Sequence, residues 1–340
     1  MRVNAVFQGG GVKGIGLVGA VVAAQRRGVE FHQTAGTSVG AMIAAFLAAG
    51  YDAEEMREII INTDFQQFTD KDFYYRFPMV GPAVRFMLKK GLYSGHALEK
   101  WVGAHLRRKG IVTFGDLPRN ALRVVASDIS QGKLLVLPDD IRQYGVEPDR
   151  LTVAKAVRMS ASLPFFYDPV KYRLRRSQDG IKKWLGQPYY IVDGGILSNY
   201  PLWIFDREIK EWPQKIPTIG FQLVGKGEEH PKPINGPISM LQALFSTMIG
   251  AHDERYIEKH SRFRTIKIPS DMVHTTEFSI GKEKLETLFH SGEAAADEFF
   301  AKWSYTEYAQ QLDLWVKPLH PLLQQQEKAE CSQEPSAKRP

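Results

Sequence analysis

The residue best placed for chemistry is Ser38, in the segment Gly36-Thr37-Ser38-Val39-Gly40. This G-x-S-x-G pattern follows a short apolar run at 31–35 and precedes an apolar helix pattern at 41–49. A serine on a tight turn between a strand and a helix is the arrangement of a nucleophile elbow. The turn requires a strained serine backbone, and glycines where side chains would collide with the neighbouring strand or helix. We expect the Ser38 amide and hydroxyl to face outward, at the positive end of the following helix.

A serine nucleophile needs a base, and Asp193 is the strongest candidate. The segment Asp193-Gly194-Gly195 directly follows the apolar run 189–192, which places a carboxylate at a strand end beside glycines that permit close approach. The carboxyl ends of parallel strands meet at one edge of a sheet, where ligands bind. If Asp193 takes the serine proton directly, burial must raise its pKa above the ordinary value of about 3.9.

A histidine-assisted esterase is the alternative within the hydrolases. In the order serine, acid, histidine, the candidates are the later histidines of the chain, none of which lies in an evident motif. They are His230, His252, His260, His274, His290 and His320. Ser38 follows only two strand patterns, which is early for the order found in α/β-hydrolases.

The glycine run Gly9-Gly10-Gly11-Val12-Lys13-Gly14 also lies between a strand pattern and a helix pattern, and two mechanisms fit it. Its amides could converge on one oxygen as an oxyanion hole, with Lys13 supporting the loop or the negative charge. Read as G-x-G-x-x-G, the run could instead bind a dinucleotide, and the protein would be a nucleotide-binding oxidoreductase. That interpretation requires an acidic residue at the end of the second strand, but Glu30 lies at its beginning.

Taken in order, these three segments resemble the signatures of patatin-like phospholipases. The segments 91–95, 160–166 and 199–201 resemble the bacterial branch of that family, and the resemblance spans about residues 3–225. It implies a Ser38–Asp193 dyad without histidine and an acyl-enzyme, with no cofactor and no metal. It also implies fatty-acyl esters of phospholipid or neutral lipid as substrates. The implied oxyanion donors are Gly9, Gly10 and Gly11, and the supporting residues are Lys13, Gly36, Gly40, Gly194 and Gly195.

The elements that must position these residues are typical of an α/β fold, a three-layer α/β/α sandwich with a mainly parallel sheet. Strand patterns occupy 3–8, 31–35, 122–126, 133–137, 189–193 and 216–224, and we expect the last of these to end the sheet. Helix patterns occupy 13–27, 41–49, 152–159, 237–260 and 281–305, and another begins at Asp52. We predict a catalytic core over 1–225, a helical part packed on it over 226–325, and a disordered tail over 326–340.

The whole-chain composition bounds the partners and the location. The single cysteine, Cys331, rules out an intramolecular disulfide and favours a reducing, cytoplasmic location. No apolar run approaches the roughly 18 to 20 residues of a membrane-spanning helix. The formal charge of +6 would attract the protein to anionic surfaces. Charge alone does not choose between nucleic acid and phospholipid headgroups. The resemblance implies a lipid or membrane-surface substrate, with anionic phospholipid as one option, peripheral membrane binding and no nucleic-acid partner; the oligomeric state stays open.

An aromatic stretch at 65–86 carries basic residues within it or just after it: Arg76, Arg85, Lys89 and Lys90. We interpret it as a lid or as a surface that docks on anionic membrane, with a capping helix packed on the core as the alternative. A membrane-binding module without catalysis is the remaining alternative for the whole chain.

Overall fold

The structure is a computed structural model. It describes residues 1–70, 81–178, 181–206, 216–225, 261–271 and 280–312, with the single residues 234, 236, 240, 243, 247 and 273. Within these ranges the strands are β1 (Arg2–Phe7), β2 (Glu30–Thr37), β3 (Gly91–Tyr93), β4 (Leu122–Asp128), β5 (Lys133–Leu137), β6 (Phe165–Tyr167), β7 (Val170–Gln178), β8 (Ile181–Asp193), β9 (Thr218–Val224) and β10 (Thr265–Pro269). The helices are α1 (Gly14–Arg26), α2 (Val39–Ala48), α3 (Ala53–Ile61), α4 (Gly81–Lys89), α5 (His96–Arg108), α6 (Val153–Ser160) and α7 (Lys282–Lys302).

One large sheet organises the chain. Its strand order is β10-β9-β1-β2-β4-β8-β7, and β5 pairs with β4 outside this path. The five strands from β10 to β4 are parallel, whereas β8, β7 and β5 pair antiparallel. Helices cover the sheet, so the predicted α/β/α sandwich with a mainly parallel sheet is confirmed. Strand β1 is buried from Val3 to Phe7, as expected for a parallel strand covered on both faces.

Strand β4 aligns β2, which ends just before the predicted nucleophile Ser38, with β8, which ends at the predicted base Asp193. Its residues Val124 and Val125 pair with β5 on one edge and with β2 on the other. Residues 126–128 also pair with β5, so β8, which pairs with the same three residues, lies along the edge that β2 has just left. Strands β2 and β8 therefore approach each other end to end along one edge of β4.

Helices α1 and α7 cross with their backbones in contact. A Cβ at Gly292 of α7 would overlap the Gly16 carbonyl oxygen, and a Cβ at Gly19 of α1 would overlap the Phe289 carbonyl oxygen. Arg27, which directly follows α1, also pairs with Asp297 of α7 at 2.8 Å. The last helix thus packs on the helix that begins at the glycine run, and α7 confirms the helix predicted over 281–305.

Two predicted boundaries were wrong, at 216–224 and at 189–193, and the helix start predicted at Asp52 is confirmed. The run 216–224 does not end the sheet, because β10 adds a further parallel strand beside β9, with Ile266 and Ile268 buried on alternate positions. Strand β8 begins at Ile181, well before the apolar run 189–192, because its first half pairs only with β7. The helix starting at Asp52 is α3, which Asp52 caps by accepting the Glu55 amide at 2.8 Å.

Several predictions fall outside the described residues. These are most of the helix at 237–260, the tail at 326–340, and positions 71–80 of the aromatic stretch, including Arg76. The division into a core over 1–225 and a helical part over 226–325 stays a prediction. Among the described residues, no helix is long and apolar enough to cross a membrane.

Candidate active site

Ser38 occupies the turn between β2 and α2, with φ 56° and ψ −125°. A residue other than glycine adopts such a conformation at a cost on the order of 1–3 kcal/mol. The flanking glycines make the turn possible: a Cβ at Gly36 would overlap the Gly40 backbone, and one at Gly40 would overlap the Phe7 carbonyl oxygen. The elbow geometry predicted from the sequence is therefore present.

The Ser38 amide does not face outward, contrary to expectation. It donates a hydrogen bond of 2.8 Å to the hydroxyl of Ser160, a fully buried residue at the end of α6. The same hydroxyl donates to the Val125 carbonyl oxygen of β4 at 2.5 Å. One buried serine thus connects the turn to the sheet, because the strained turn leaves an amide that must find an acceptor.

Asp193 meets Ser38 where β2 and β8 approach each other. Thr37 lies opposite Val125 and Asp193 lies opposite Ala126, so the carboxylate occupies the row just beyond the last residue of β2. Hydrogen bonding from the nearby Ser38 hydroxyl lowers the pKa of the Asp193 carboxyl group. Two residues far apart in the chain are therefore brought close together by their register on β4.

Burial raises the pKa of Asp193 from 3.8 to about 7. The side chain is only 4% exposed, and desolvation disfavours its charged form. Two hydrogen bonds oppose this effect, one from the Gly195 amide at 2.8 Å and one from the Ser38 hydroxyl. The carboxyl group therefore exchanges its proton near neutral pH, which suits a general base.

The glycine run lies against the elbow, but it does not offer all three predicted donors. A Cβ at Gly9 would lie 3.2 Å from the Ser38 Cβ and would overlap the Asn199 side chain. The Gly9 amide donates to the Asn199 carbonyl at 3.1 Å, and the Asn199 side-chain amide donates back to the Gly9 carbonyl at 3.3 Å. Within the described part of the chain, the amides of Gly10 and Gly11 have no acceptor. Gly10 and Gly11 remain candidate oxyanion donors. The prediction for Gly9 is corrected, because its amide is bonded to Asn199 and holds the loop instead.

Lys13 lies at the start of α1. Its ammonium group is 3.5 Å from the Ser270 hydroxyl, which in turn donates to the Val224 carbonyl at 3.2 Å. The contact connects the glycine run to the ends of β9 and β10, as expected of a residue that supports the loop. Gly194 has the same supporting character, because a Cβ there would overlap the Val125 carbonyl oxygen.

The segment after α6 forms another side of the site. The Asp193 amide donates to the Ser162 carbonyl at 2.9 Å. Ser162 is held by the buried Arg158, whose guanidinium also donates to the carbonyls of Ser94 at 2.6 Å and Asp168 at 2.7 Å. Burial lowers the pKa of Arg158. This arginine fixes the backbone that receives the Asp193 amide.

Sequence reasoning assigned no role to Ser160 or Asn199, although both lie in segments used for the resemblance. Their partners are 122 and 190 positions away, so local patterns carry no signal for these contacts.

The candidate histidines do not meet the nucleophile in the described ranges. His290 is exposed on α7 and lies 2.7 Å from Glu293, and the other five candidates fall outside those ranges. Burial, Gly195 and Ser38 set the pKa of Asp193, without a contribution from any described histidine. The same part of the chain contains no group of three or more His, Cys, Asp or Glu side chains that could hold a metal ion.

Comparison with known proteins identifies the family to which this sequence belongs. The sequence profile of the family described as patatin-like phospholipase matches residues 5–206, a span that contains the glycine run, Ser38 and Asp193. The chain belongs to the patatin-like phospholipase family. It is accordingly a lipid acyl-hydrolase, a carboxylic ester hydrolase, and the glycine run is that of a patatin-like fold rather than of an oxidoreductase.

The chain is also similar to individual proteins. The chain is 39% identical over 306 residues to the uncharacterized protein YqhO of Bacillus subtilis (strain 168), covering 90% of this chain and all of that one. It is 24% identical over 203 residues to Probable lipid hydrolase 463L of Invertebrate iridescent virus 6, covering 58% of this chain and 61% of that one. Among solved structures, VipD from Legionella pneumophila has a TM-score of 0.51 at 18% identity. That match covers 87% of this patatin-like chain and 66% of VipD, and it concerns the fold alone.

Proposed function

We propose that this patatin-like protein hydrolyses fatty-acyl esters of membrane phospholipid, with Ser38 as nucleophile and Asp193 as its only base. The observation that supports the dyad is the position of Asp193 next to the end of β2 on β4, as a buried carboxyl group whose pKa is raised to about 7. A carboxyl group with an ordinary pKa would be too weak a base for a serine hydroxyl near neutral pH. The basic charge of the chain, with a pI near 9.1, favours phospholipid over neutral lipid.

The reaction follows from these positions. The Ser38 oxygen attacks the ester carbonyl carbon while its proton passes to Asp193, and the resulting oxyanion accepts hydrogen bonds from the Gly10 and Gly11 amides. The tetrahedral intermediate expels the alcohol, which takes the proton back from Asp193. Water then attacks the acyl-enzyme, again giving its proton to Asp193, and the fatty acid leaves as Ser38 recovers its proton.

The test compares the wild type with Ser38→Ala and Asp193→Asn on a soluble p-nitrophenyl ester and on a labelled phospholipid. We expect both variants to lose about 10³-fold or more in kcat, since members of a catalytic unit are not additive. Matched controls are Ser291→Ala, at a partly exposed position on α7, and Asp139→Asn, at an exposed position, and both should retain activity.

A fluorophosphonate that labels serine nucleophiles provides an independent measurement. Peptide mapping should find the label on Ser38 in the wild type and in Asp139→Asn, with little label in Asp193→Asn. Near-full turnover by Asp193→Asn would reject Asp193 as the base, and replacement of the later histidines would then show whether one of them serves instead.

A further inference from the structure

The β7–β8 hairpin extends beyond the edge of the sheet on which the active site lies. Ile191 of β8 pairs with Asp128, the last residue of β4, so residues 181–190 run past the carboxyl end of that strand. Ser38 and Asp193 lie at the same edge, because β2 also ends there. At roughly 3.3 Å per residue, the projecting arm reaches about 30 Å beyond the sheet.

The arm is strongly basic. Its two strands carry one group of cations, which are Lys171, Arg173, Arg175, Arg176, Lys182 and Lys183, and the only acid between 171 and 190 is Asp179. Arg176 pairs directly with Lys183 across the two strands. Among the cations whose side chains the structure describes, Lys171 and Arg173 are both exposed on β7, so the arm offers positive charge to an external anion.

Helix α4 adds an apolar face beside the arm. Its inner side is anchored: Arg85 is fully buried and forms two 3.0 Å hydrogen bonds with Asp168, and the Phe86 ring stacks on Phe165 at 5.8 Å. Its outer side presents large apolar residues at helical spacing. They are Val84, Met87 and Leu88, which are 39%, 80% and 58% exposed.

The helix and the arm meet at one aromatic ring. The Lys90 ammonium, just after α4, lies 5.2 Å from the centre of the Tyr190 ring, and the Lys171 ammonium of β7 lies 5.6 Å from it. Tyr190 precedes Asp193 by three residues on β8, and Phe165 follows Ser162, whose carbonyl receives the Asp193 amide. The apolar face, the basic arm and the site are therefore parts of one contiguous region.

We propose that the outer face of α4 and the β7–β8 arm together form the surface by which this protein docks on an anionic phospholipid bilayer. This inference rests on the proposed function, since a bilayer is then the substrate. An apolar helical face flanked by cations is typical of segments that lie in the membrane interface. A nucleic acid would use the cations but not the apolar face, so charge and exposure together favour the bilayer.

Docking is measured with the full chain carrying Ser38→Ala, so that hydrolysis cannot alter the membrane. Sedimentation with phosphatidylcholine vesicles, with and without phosphatidylglycerol, gives the bound fraction. One variant adds Met87→Ser with Leu88→Ser, and another adds Lys171→Gln with Arg173→Gln, which removes two exposed cations of β7. Each basic residue near an anionic surface contributes about 1 kcal/mol, so the pair of cations should weaken binding to anionic vesicles about 30-fold when both are removed. The apolar pair should weaken it by at least about tenfold.

Matched controls change equivalent residues on other faces, namely Val112→Ser, at an exposed apolar position, and Lys284→Gln with Lys302→Gln on α7. Thermal unfolding followed by circular dichroism shows that each variant is folded. Unchanged binding of both docking variants, or equal losses in the controls, would overturn the surface; stronger binding to RNA than to vesicles would do the same. Because these assays need no turnover, failure of the Ser38 test would reject the proposed function without affecting the docking result.

Discussion

At the scale of single residues, the chemistry depends on one buried carboxyl group. Asp193 ends a strand among glycines, loses its hydration there, and is left with two hydrogen-bond donors, the Gly195 amide and the Ser38 hydroxyl. In the described part of the chain the largest influence on its pKa is therefore desolvation, which raises it. Both the rate of hydrolysis and the stability of the protein should therefore depend on pH through the raised pKa of Asp193.

The rate should depend on pH through Asp193. Only the ionised carboxylate can accept the Ser38 proton, so kcat/KM for a soluble ester should rise about tenfold per pH unit below its pKa and level off above about 7. The profile is measured between about pH 5 and about pH 9, within the range where the protein stays folded. A rate that is already constant from about pH 5 upward would mean that the base has an ordinary carboxyl pKa.

The same shift predicts that Asp193→Asn stabilises the protein at alkaline pH. Because the folded-state pKa is raised from 3.8 to about 7, the contribution of Asp193 to stability falls as pH rises between these values and stays low above them. Removing the charge should raise the free energy of unfolding at about pH 8 by on the order of 2–4 kcal/mol, and by much less near pH 4. Urea denaturation at both pH values measures this, with Asp139→Asn as the control. A lower midpoint for Asp193→Asn at about pH 8 would contradict it.

Ser160 should act as a positioning residue for the nucleophile. Ser160→Ala leaves the partly buried Ser38 amide without its acceptor, and an unpaired donor costs up to about 1–3 kcal/mol when it is fully buried. Since the elbow is strained, we expect part of this energy to appear as displacement of Ser38. The variant should lower kcat about 10- to 100-fold with little change in KM, and should slow fluorophosphonate labelling equally.

The control for Ser160 is Ser162→Ala, which removes an equally buried hydroxyl that contacts Arg158 instead of Ser38. Both variants should unfold at lower temperature, but only Ser160→Ala should label slowly. Equal labelling rates in the two variants would reduce Ser160 to a purely structural residue.

The sequence predicts those parts of the site that depend on neighbouring residues, but not those that depend on residues far apart in the chain. Ser38 and Asp193 each stand in a local context, a strand followed by glycines, that indicates their role from a few neighbouring residues. The commitment of the Gly9 amide to Asn199 and of the Ser38 amide to Ser160 depends on segments 190 and 122 positions away. No periodicity or spacing within one segment reports such contacts, so the sequence overstates the donors available to an oxyanion.

At the scale of elements, α7 packs so closely on α1 that even one methyl group should separate them. A Cβ at Gly292 would overlap the Gly16 carbonyl oxygen and lie 2.9 Å from the Ala20 amide nitrogen. Overpacking against backbone costs about 1–3 kcal/mol, so Gly292→Ala should lower the unfolding temperature by several degrees. The control is Gly103→Ala in α5, where the nearest atom is the Ala154 Cβ at 3.4 Å. It should be neutral or stabilising, and equal losses in both variants would refute the close crossing.

The sequence predicts the central strands well because they are covered on both faces. The strands β1 and β4 begin and end within about two residues of their apolar runs. The sequence did not predict β7 or the first half of β8, because these two segments pair only with each other and carry cations where a buried strand would carry apolar residues. Pairing between two strands without a shared core face produces no hydrophobic period to detect.

At the scale of the whole molecule, the position of the charge matters more than its sum. The formal charge of +6 is small for 340 residues, yet six cations stand on one arm at the edge that holds Ser38. Raising the salt concentration should therefore weaken hydrolysis of anionic vesicles strongly and hydrolysis of a soluble ester little, because screening acts on the exposed arm and not on the buried Asp193. Rates on both substrates between about 50 mM and about 500 mM salt test this. An equal salt effect on both would place the effect in the catalytic step.

Because β2 and β8 meet end to end along β4, their pairing with β4 sets the distance between Ser38 and Asp193. Inserting or deleting one residue near the end of either strand would move its functional group by about 3.3 Å and turn it to the opposite face of the sheet. Loops elsewhere can grow or shrink without touching this distance. In lineages or laboratory libraries derived from this chain, length changes should therefore be excluded from the last residues of β2, of β8 and of the stretch of β4 between them, even where individual side chains there vary freely.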